Sequence, residues 1–255
     1  MSNPRQVARL KNVQISESFV DEAVRRAGGR RISEVVTSIP NGIQNCDYLL
    51  GNFLMELKII EREPLENLKR QEKLTSQFDE LEKLGKAVAK SPKEIHLAGE
   101  SSQRYWQLIG APVGRDLRDA ARQIRATKGL LNQPNLRGAV FLINCGGDSI
   151  DPDSFWKLAI RHRRDFSADI NAVMCFSAIP AIAVGLNRPC VAFHHEHTGD
   201  GVDEAFVNLF KESFRSVFAE TIGKKPDEID GDDAAVQPLR APFQMDTPNG
   251  NILIM

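Results

Sequence analysis

At 255 residues the chain is long enough for one large α/β domain, or for a domain carrying an inserted subdomain. Its 33 Lys and Arg stand against 34 Asp and Glu, a formal net charge of −1, so no overall basic excess marks it for polyanions and any such contact must rest on a local patch. No apolar run is long enough to span a bilayer and the N-terminal MSNPRQVARLKNVQ lacks the apolar core of a secretory signal, while Cys46, Cys145, Cys175 and Cys190 form no Cys-x-x-Cys pair and read as buried reduced thiols, which together predict a cytoplasmic protein with no membrane contact.

In chain order, residues 16–28 predict a helix, with Ser16 as N-cap, an apolar stripe of Phe19, Val20, Ala23, Val24 and Ala27, and a stop at Gly28-Gly29. RISEVVTSIP (31–40) predicts a strand that Pro40-Asn41-Gly42 ends. NCDYLLGNFLMELKII (45–60) predicts a hairpin turning at Gly51-Asn52. Residues 64–93 predict one long amphipathic helix, with Leu74, Phe78, Leu81, Leu84 and Val88 at three- and four-residue spacing, ending near Ser91-Pro92. Residues 94–114, with Gly99, Gly110, Pro112 and Gly114, read as a loose connection, so that 64–114 forms a helical insertion within a single domain of 1–255.

From Asp116 a helix is expected with Leu117, Ala120, Ala121, Ile124 and Leu131 inward, then a buried strand at RGAVFLINCG. A helix opening near Pro152, a buried strand at INAVMCFSAI and a last strand at RPCVAFHHE follow. A long helix with Phe206, Leu209, Phe210, Phe214, Val217 and Phe218 on one side leads into an irregular tail from Lys224, the two making up residues 202–255. Strands alternating with helices predict an α/β fold with a central mixed sheet flanked by helices.

The hairpin carries the chemistry. Strand side chains alternate, so Phe53, Met55, Leu57 and Ile59 share one face, and Glu56 and Lys58 point together to the other. If the two strands pair, Asp47 reaches the same spot. Two carboxylates converging beside an ammonium group suit a hard divalent cation and a phosphodiester. Glu56-Leu57-Lys58 is the only acid-x-Lys triplet in the chain, and Leu54 and Ile60 lie on its charged face, which a simple solvated strand would not require.

Asp47, then Glu56-x-Lys58 on the next strand, resembles the active-site pattern of the PD-(D/E)XK nuclease superfamily, the restriction-endonuclease-like fold; the proline frequent before its acid is replaced here by Cys46. The resemblance implies a Mg²⁺-dependent nuclease, with Mn²⁺ as an accepted substitute, acting on nucleic acid and on DNA first. It implies Asp47, Glu56 and the Leu57 carbonyl as metal ligands and Lys58 as the charge stabiliser. Gln123, on the helix after the Glu-x-Lys strand, stands where many members carry a glutamine that places the lysine or the substrate. Glu22, in preference to Glu17, stands where some branches keep a third carboxylate on the first helix. A homodimer or a partner subunit also fits, since double-strand cleavage by this fold often uses two sites, and phage defence or DNA processing would suit a solitary domain of this kind. The alternatives are a non-catalytic nuclease-like scaffold, or an interaction subunit that docks through an exposed phenylalanine stripe.

Basic clusters occur at Arg25-Arg26 with Arg30-Arg31, at Arg115 to Lys128, and at Arg161-His162-Arg163-Arg164. Arg118, Arg122 and Arg125 recur at helical spacing, a ridge able to hold phosphates or equally to pair with Asp116 and Asp119. His194-His195-Glu196-His197 lacks the further ligands that tetrahedral zinc needs and reads as a polar strand end.

Overall fold

The computed structural model describes residues 15–36, 44–61, 67–83, 100–145, 150, 152–183, 189–197, 201–221, 223, 236–238, 243–247 and 250–254. The first helix, α1 (Glu17–Arg26), buries Phe19, Val20, Ala23 and Val24. It closes as a Schellman motif: Gly28 N–H donates to Arg25 O (3.0 Å), Gly29 N–H donates to Val24 O (2.8 Å), and Gly28 takes the left-handed φ of +80° that this closure requires. Ser16 stands at the N-cap, but its hydroxyl meets Ser18 Oγ at 2.7 Å instead of a backbone N–H.

The strand expected over 31–40 is not formed across its described part. After the two-residue β1 (Arg30–Arg31) the chain enters a helical turn, α2 (Ile32–Val35). Ile32 N–H donates to Asp47 O at 2.8 Å and the Ile32 side chain is fully buried, so burial of one anchor overrides the strand preference of the β-branched run. Pro40-Asn41-Gly42 lies outside the described residues.

β2 (Tyr48–Leu50) and β3 (Phe53–Ile60) form the expected antiparallel hairpin, in the register Tyr48↔Met55 and Leu50↔Phe53, with Gly51 at φ +58° in the two-residue turn. Of the amphipathic helix expected over 64–93, α3 covers Leu68–Lys83, and the remainder from 84 lies outside the described residues.

The next helix, α4, runs unbroken from Glu100 to Leu130, so the described part of the predicted loose connection before residue 114 is instead the first half of a 31-residue helix. The glycines there are close-approach positions. A Cβ at Gly110 would lie 2.6 Å from Leu158 Cδ2, and one at Gly114 2.9 Å from His162 Cε1. Pro112 is accommodated inside this helix without ending it, although proline forgoes an intrahelical hydrogen bond.

β4 (Arg137–Asn144), α5 (Pro152–Arg163) with a 3₁₀ turn (Arg164–Phe166), β5 (Ala172–Ala183), β6 (Pro189–His197) and α6 (Gly201–Thr221) follow. The tail expected to be irregular contributes three more strands: β7 (Val236–Pro238), β8 (Phe243–Thr247) and β9 (Gly250–Ile254). β7 pairs with β5, while β8 and β9 form a separate hairpin whose alternating Phe243, Met245 and Ile252, Ile254 are a short period-two signal beside an acidic stretch.

Among the described residues the main sheet runs in the order β1-β2-β3-β4-β5-β6 with β7 beside β5. β3, β4 and β5 are parallel, and β1, β2, β6 and β7 pair antiparallel with their neighbours, a mixed sheet in an α/β fold. One core layer packs Leu54, Ile60, Val140, Leu142, Val173 and Cys175 against residues of α4 and α5. The other packs Phe53, Met55, Leu57, Phe141 and Phe176 against residues of α1 and α6. On α6 the stripe of Phe206, Phe210, Phe214, Val217 and Phe218 is buried, whereas Leu209, expected inward, is 50% exposed. Phe214 meets the Phe19, Phe141 and Phe176 rings edge-on at 4.8–5.2 Å, so the stripe is core and offers no docking face. Cys46 and Cys175 are buried thiols as expected; Cys145 is exposed.

At Gly138 a Cβ would lie 1.9 Å from Asp169 O, where β4 and the start of β5 hold each other through Asn171 N–H to Gly138 O (2.7 Å). Gly138→Ala should lower stability by about 1–3 kcal/mol, because backbone rather than a side-chain tip has to move. Gly129→Ala, with nothing within 4 Å of its added Cβ near the end of α4, should raise stability by about 0.4–1 kcal/mol. Chemical denaturation of the two variants beside the native chain checks both signs.

Candidate active site

Continuing the β2–β3 register by one residue sets Asp47 opposite Glu56. Asp47 is fixed from three sides. Its carbonyl accepts from Ile32 N–H (2.8 Å), its Oδ2 accepts from Leu57 N–H (2.8 Å), and the preceding Cys46 N–H donates to Thr127 Oγ1 (2.8 Å) on α4. Thr127 Oγ1 in turn donates to Gln123 O at 2.8 Å, so one buried hydroxyl ties the approach to β2 onto α4. Glu56 and Lys58 alternate with the apolar residues of β3 and face the α4 side, together with Leu54 and Ile60.

Lys58 Nζ donates to Glu56 Oε1 at 2.5 Å and to Gln123 Oε1 at 2.9 Å. Gln123 is itself oriented, since its Nε2 donates to Asn45 O at 3.2 Å. The Glu56 side chain is only 2% exposed, and among the described residues its second oxygen, Oε2, has no hydrogen-bond partner. Burial, and next the neighbouring charge of Asp47, push the Glu56 carboxyl up to about 8 against the pull of Lys58. Asp47 is raised as well, by burial first, opposed by the Leu57 N–H and Lys58.

The buried Glu56 carboxyl facing the half-buried Asp47, with one oxygen orphaned among the described residues, carries an electrostatic strain that a hard cation relieves. The backbone N–H of Leu57 points to Asp47, and a strand residue directs its N–H and C=O to the same neighbour, so the Leu57 carbonyl lies on the same edge. Asp47, Glu56 and that carbonyl therefore fit a magnesium ion that keeps several waters. No group of three or more His, Cys, Asp or Glu suited to a metal occurs among the described residues, so a closed all-side-chain cage is not what this site offers.

The remaining expected site residues lie elsewhere. Glu22 accepts from Arg25 Nη2 and Arg26 Nε, both at 2.7 Å, and Arg26 continues to Glu220 on α6. Those hydrogen bonds hold its carboxyl down at about 2, and it belongs to the α1–α6 surface instead of the cluster at Asp47. Glu17, the less favoured choice from sequence, is the α1 acid whose charge reaches Asp47; it pairs with Arg31 Nη1 at 2.9 Å. The arginine ridge stands on the solvent face of α4, about 100–160° around the helix from Gln123. Arg122 is held by Asp119 (3.2 Å) and Gln44 (3.1 Å), and Arg125 by Asp169. In the histidine run, Glu196 is taken by the buried Arg163 at 2.9 Å.

Three contributors escaped the sequence reading. Asn45 and Thr127 act through backbone contacts that no pattern announces. Asp116 lies seven residues before Gln123, hence on the same side of α4, and feels the charge of Lys58; the i, i+7 spacing was the available signal. Among the described residues no helix is long and apolar enough to cross a membrane. No protein-family model matches this chain, and no curated protein or solved structure matches it either.

The folded protein keeps the Glu56 proton up to about pH 8, whereas the unfolded chain releases it near 4.5. Folded molecules thus bind more protons across that window, and this group's contribution makes stability fall as pH rises from about 4.5 to 8. In chelator, Glu56→Gln should flatten that decline and have a higher thermal midpoint than the native chain at pH 8; parallel curves for the two proteins would contradict the assignment.

Proposed function

We propose that this chain is a metal-dependent nuclease of the PD-(D/E)XK type, hydrolysing phosphodiester bonds with DNA as the foremost substrate. The observation that carries the reading is the buried Glu56 carboxyl, set beside Asp47 with one oxygen orphaned and the other on Lys58, while Gln123 holds the same ammonium from α4. A sheet that needed only a charge pair on its wet face would have no reason to desolvate the Glu56 carboxyl. The mixed sheet with helices on both faces is compatible with a restriction-endonuclease-like core. A role in phage defence or DNA processing, with a homodimer or partner subunit delivering a second cut, rests on fold-level analogy.

Asp47, Glu56 and the Leu57 carbonyl would hold Mg²⁺ or Mn²⁺, which supplies an acidified water and a counter-charge for the phosphate. Glu56 would have to give up its proton to hold that cation, so its hold would strengthen toward pH 8. Lys58, held by Gln123, would offer its ammonium to the charge that builds on the phosphoryl oxygens. Gln123, braced on Asn45 O, sets the height of that ammonium above the strand.

Plasmid, linear and single-stranded DNA and RNA are incubated with the native chain in Mg²⁺ or Mn²⁺, beside Lys58→Ala and Asp47→Ala. Cleavage should require the metal and fall by about 10²–10⁴-fold in either variant. Native rates from a folded variant would overturn the assignment. In parallel, Mg²⁺ should raise the thermal midpoint of the native chain more at pH 8 than at pH 6, and should not do so in Glu56→Gln.

A further inference from the structure

Among the described residues, the exposed arginines and lysines on the α4–α5 side fall into two groups. Arg115, Arg122 and Arg125 each hold an acid: Asp116, Asp119 and Asp169. Lys157, Arg161 and Arg164 are exposed on α5 and its 3₁₀ extension, and Arg118 is exposed on α4; among the described residues these four have no carboxylate partner. Along α5 and its 3₁₀ extension the spacing is i, i+4, i+7, which places the three cations on one face, roughly 4.5–6 Å apart along the axis.

Arg118 joins them because α4 and α5 pack closely. The His162 ring lies against Gly114, where a Cβ would be 2.9 Å from Cε1. Burial, then the charges of Arg161 and Arg118, hold that imidazole below its usual range, while Asp165 acts the other way. Arg118 follows Gly114 by four residues and so lies on the same side of α4, while Arg161 precedes His162 on α5, so both charges act where the two helices pack. Asp165 is the acid set among the four cations, and Asp153 sits at the start of α5, so the face keeps a net positive charge.

We propose that this α5 stripe, with Arg118, is a contact surface for the phosphodiester backbone of a nucleic acid. A row of like charges repels itself, and a polymer carrying regularly spaced single negative charges relieves that along its whole length. α5 covers the same sheet face as Glu56, Lys58 and Gln123, with α4 between; two helices at 8–10 Å put the stripe roughly 20 Å from the site. The inference rests on the nuclease reading for its choice of polymer and extends it: a strand entering the site would cross α4 and be held on α5, while the ridge at Arg122 and Arg125 stays with its acids.

The test is fluorescence anisotropy of labelled duplex DNA, single-stranded DNA and RNA in chelator over a range of salt. The variants are Arg118→Ala with Arg161→Ala, Lys157→Ala with Arg164→Ala, and Arg25→Ala on the far side of the sheet as control. Each double variant should bind at least one of the three polymers about tenfold more weakly than the native chain, and its plot of log affinity against log salt should be shallower by about two, with Arg25→Ala unchanged. Native affinity and slope in the double variants overturns the stripe, as does no binding by the native chain or equally strong competition by polyglutamate, which would point to an acidic protein segment. Cleavage lost in Lys58→Ala, with binding indifferent to the α5 substitutions, sinks the stripe and leaves the nuclease. Binding through the stripe without any cleavage does the reverse.

Discussion

The contact between Lys58 Nζ and Glu56 Oε1 is the interaction on which this site depends. It lets a carboxyl that is 2% exposed sit opposite the half-buried Asp47, on a sheet face where Leu54, Ile60, Val140 and Leu142 are buried. Without the ammonium the two carboxyls would face each other in a low-dielectric layer with only a backbone N–H to answer them. The cost of that arrangement is visible in the raised Glu56 carboxyl, and the surrounding fold holds it in place.

What holds it is a division of labour between the hairpin and one helix. The β2–β3 register sets which acid faces which, and the Gly51-Asn52 turn sets the register. α4 then supplies two braces a turn apart: Gln123 takes the free side of Lys58, and Thr127 anchors the chain just before Asp47. Because α4 continues N-terminally for more than four turns beyond Gln123, it also carries Gly110 and Gly114, where α5 packs close. The same packing lets the charges of both Arg118 and Arg161 act on His162. The site and the basic stripe are thus two products of one long helix.

The opposite face of the sheet is built differently. There α1 and α6 meet over a phenylalanine cluster, and the ion pairs on their outer side, Glu22 with Arg25 and Arg26 and then Glu220, close the seam between them. A glutamate one turn from the apolar stripe of α1 is drawn into that seam because two arginines follow it at i+3 and i+4. Glu17, at the start of α1, is left nearer the sheet edge where Asp47 stands.

Alternation by itself determined that Glu56 and Lys58 share a face, because a strand has only two; the glycine turn determined that Asp47 comes back beside them. The alternation of strands and helices likewise carried the α/β class, and the helix of 116–130 with its inward Leu117, Ala120, Ala121 and Ile124 was legible from period alone. Tertiary structure decided what local pattern leaves degenerate. Gly110 and Gly114 read as a break until α5 lies against them, Ile32 reads as strand until the core takes its side chain, and Glu22 reads as the better third carboxylate until Arg25 and Arg26 take it. Among the described residues, the orphaned oxygen of Glu56, the Thr127 brace and the lack of a carboxylate on Lys157, Arg161 and Arg164 depend on groups far apart in the chain, and only folding brings those groups within, or keeps them out of, hydrogen-bonding reach.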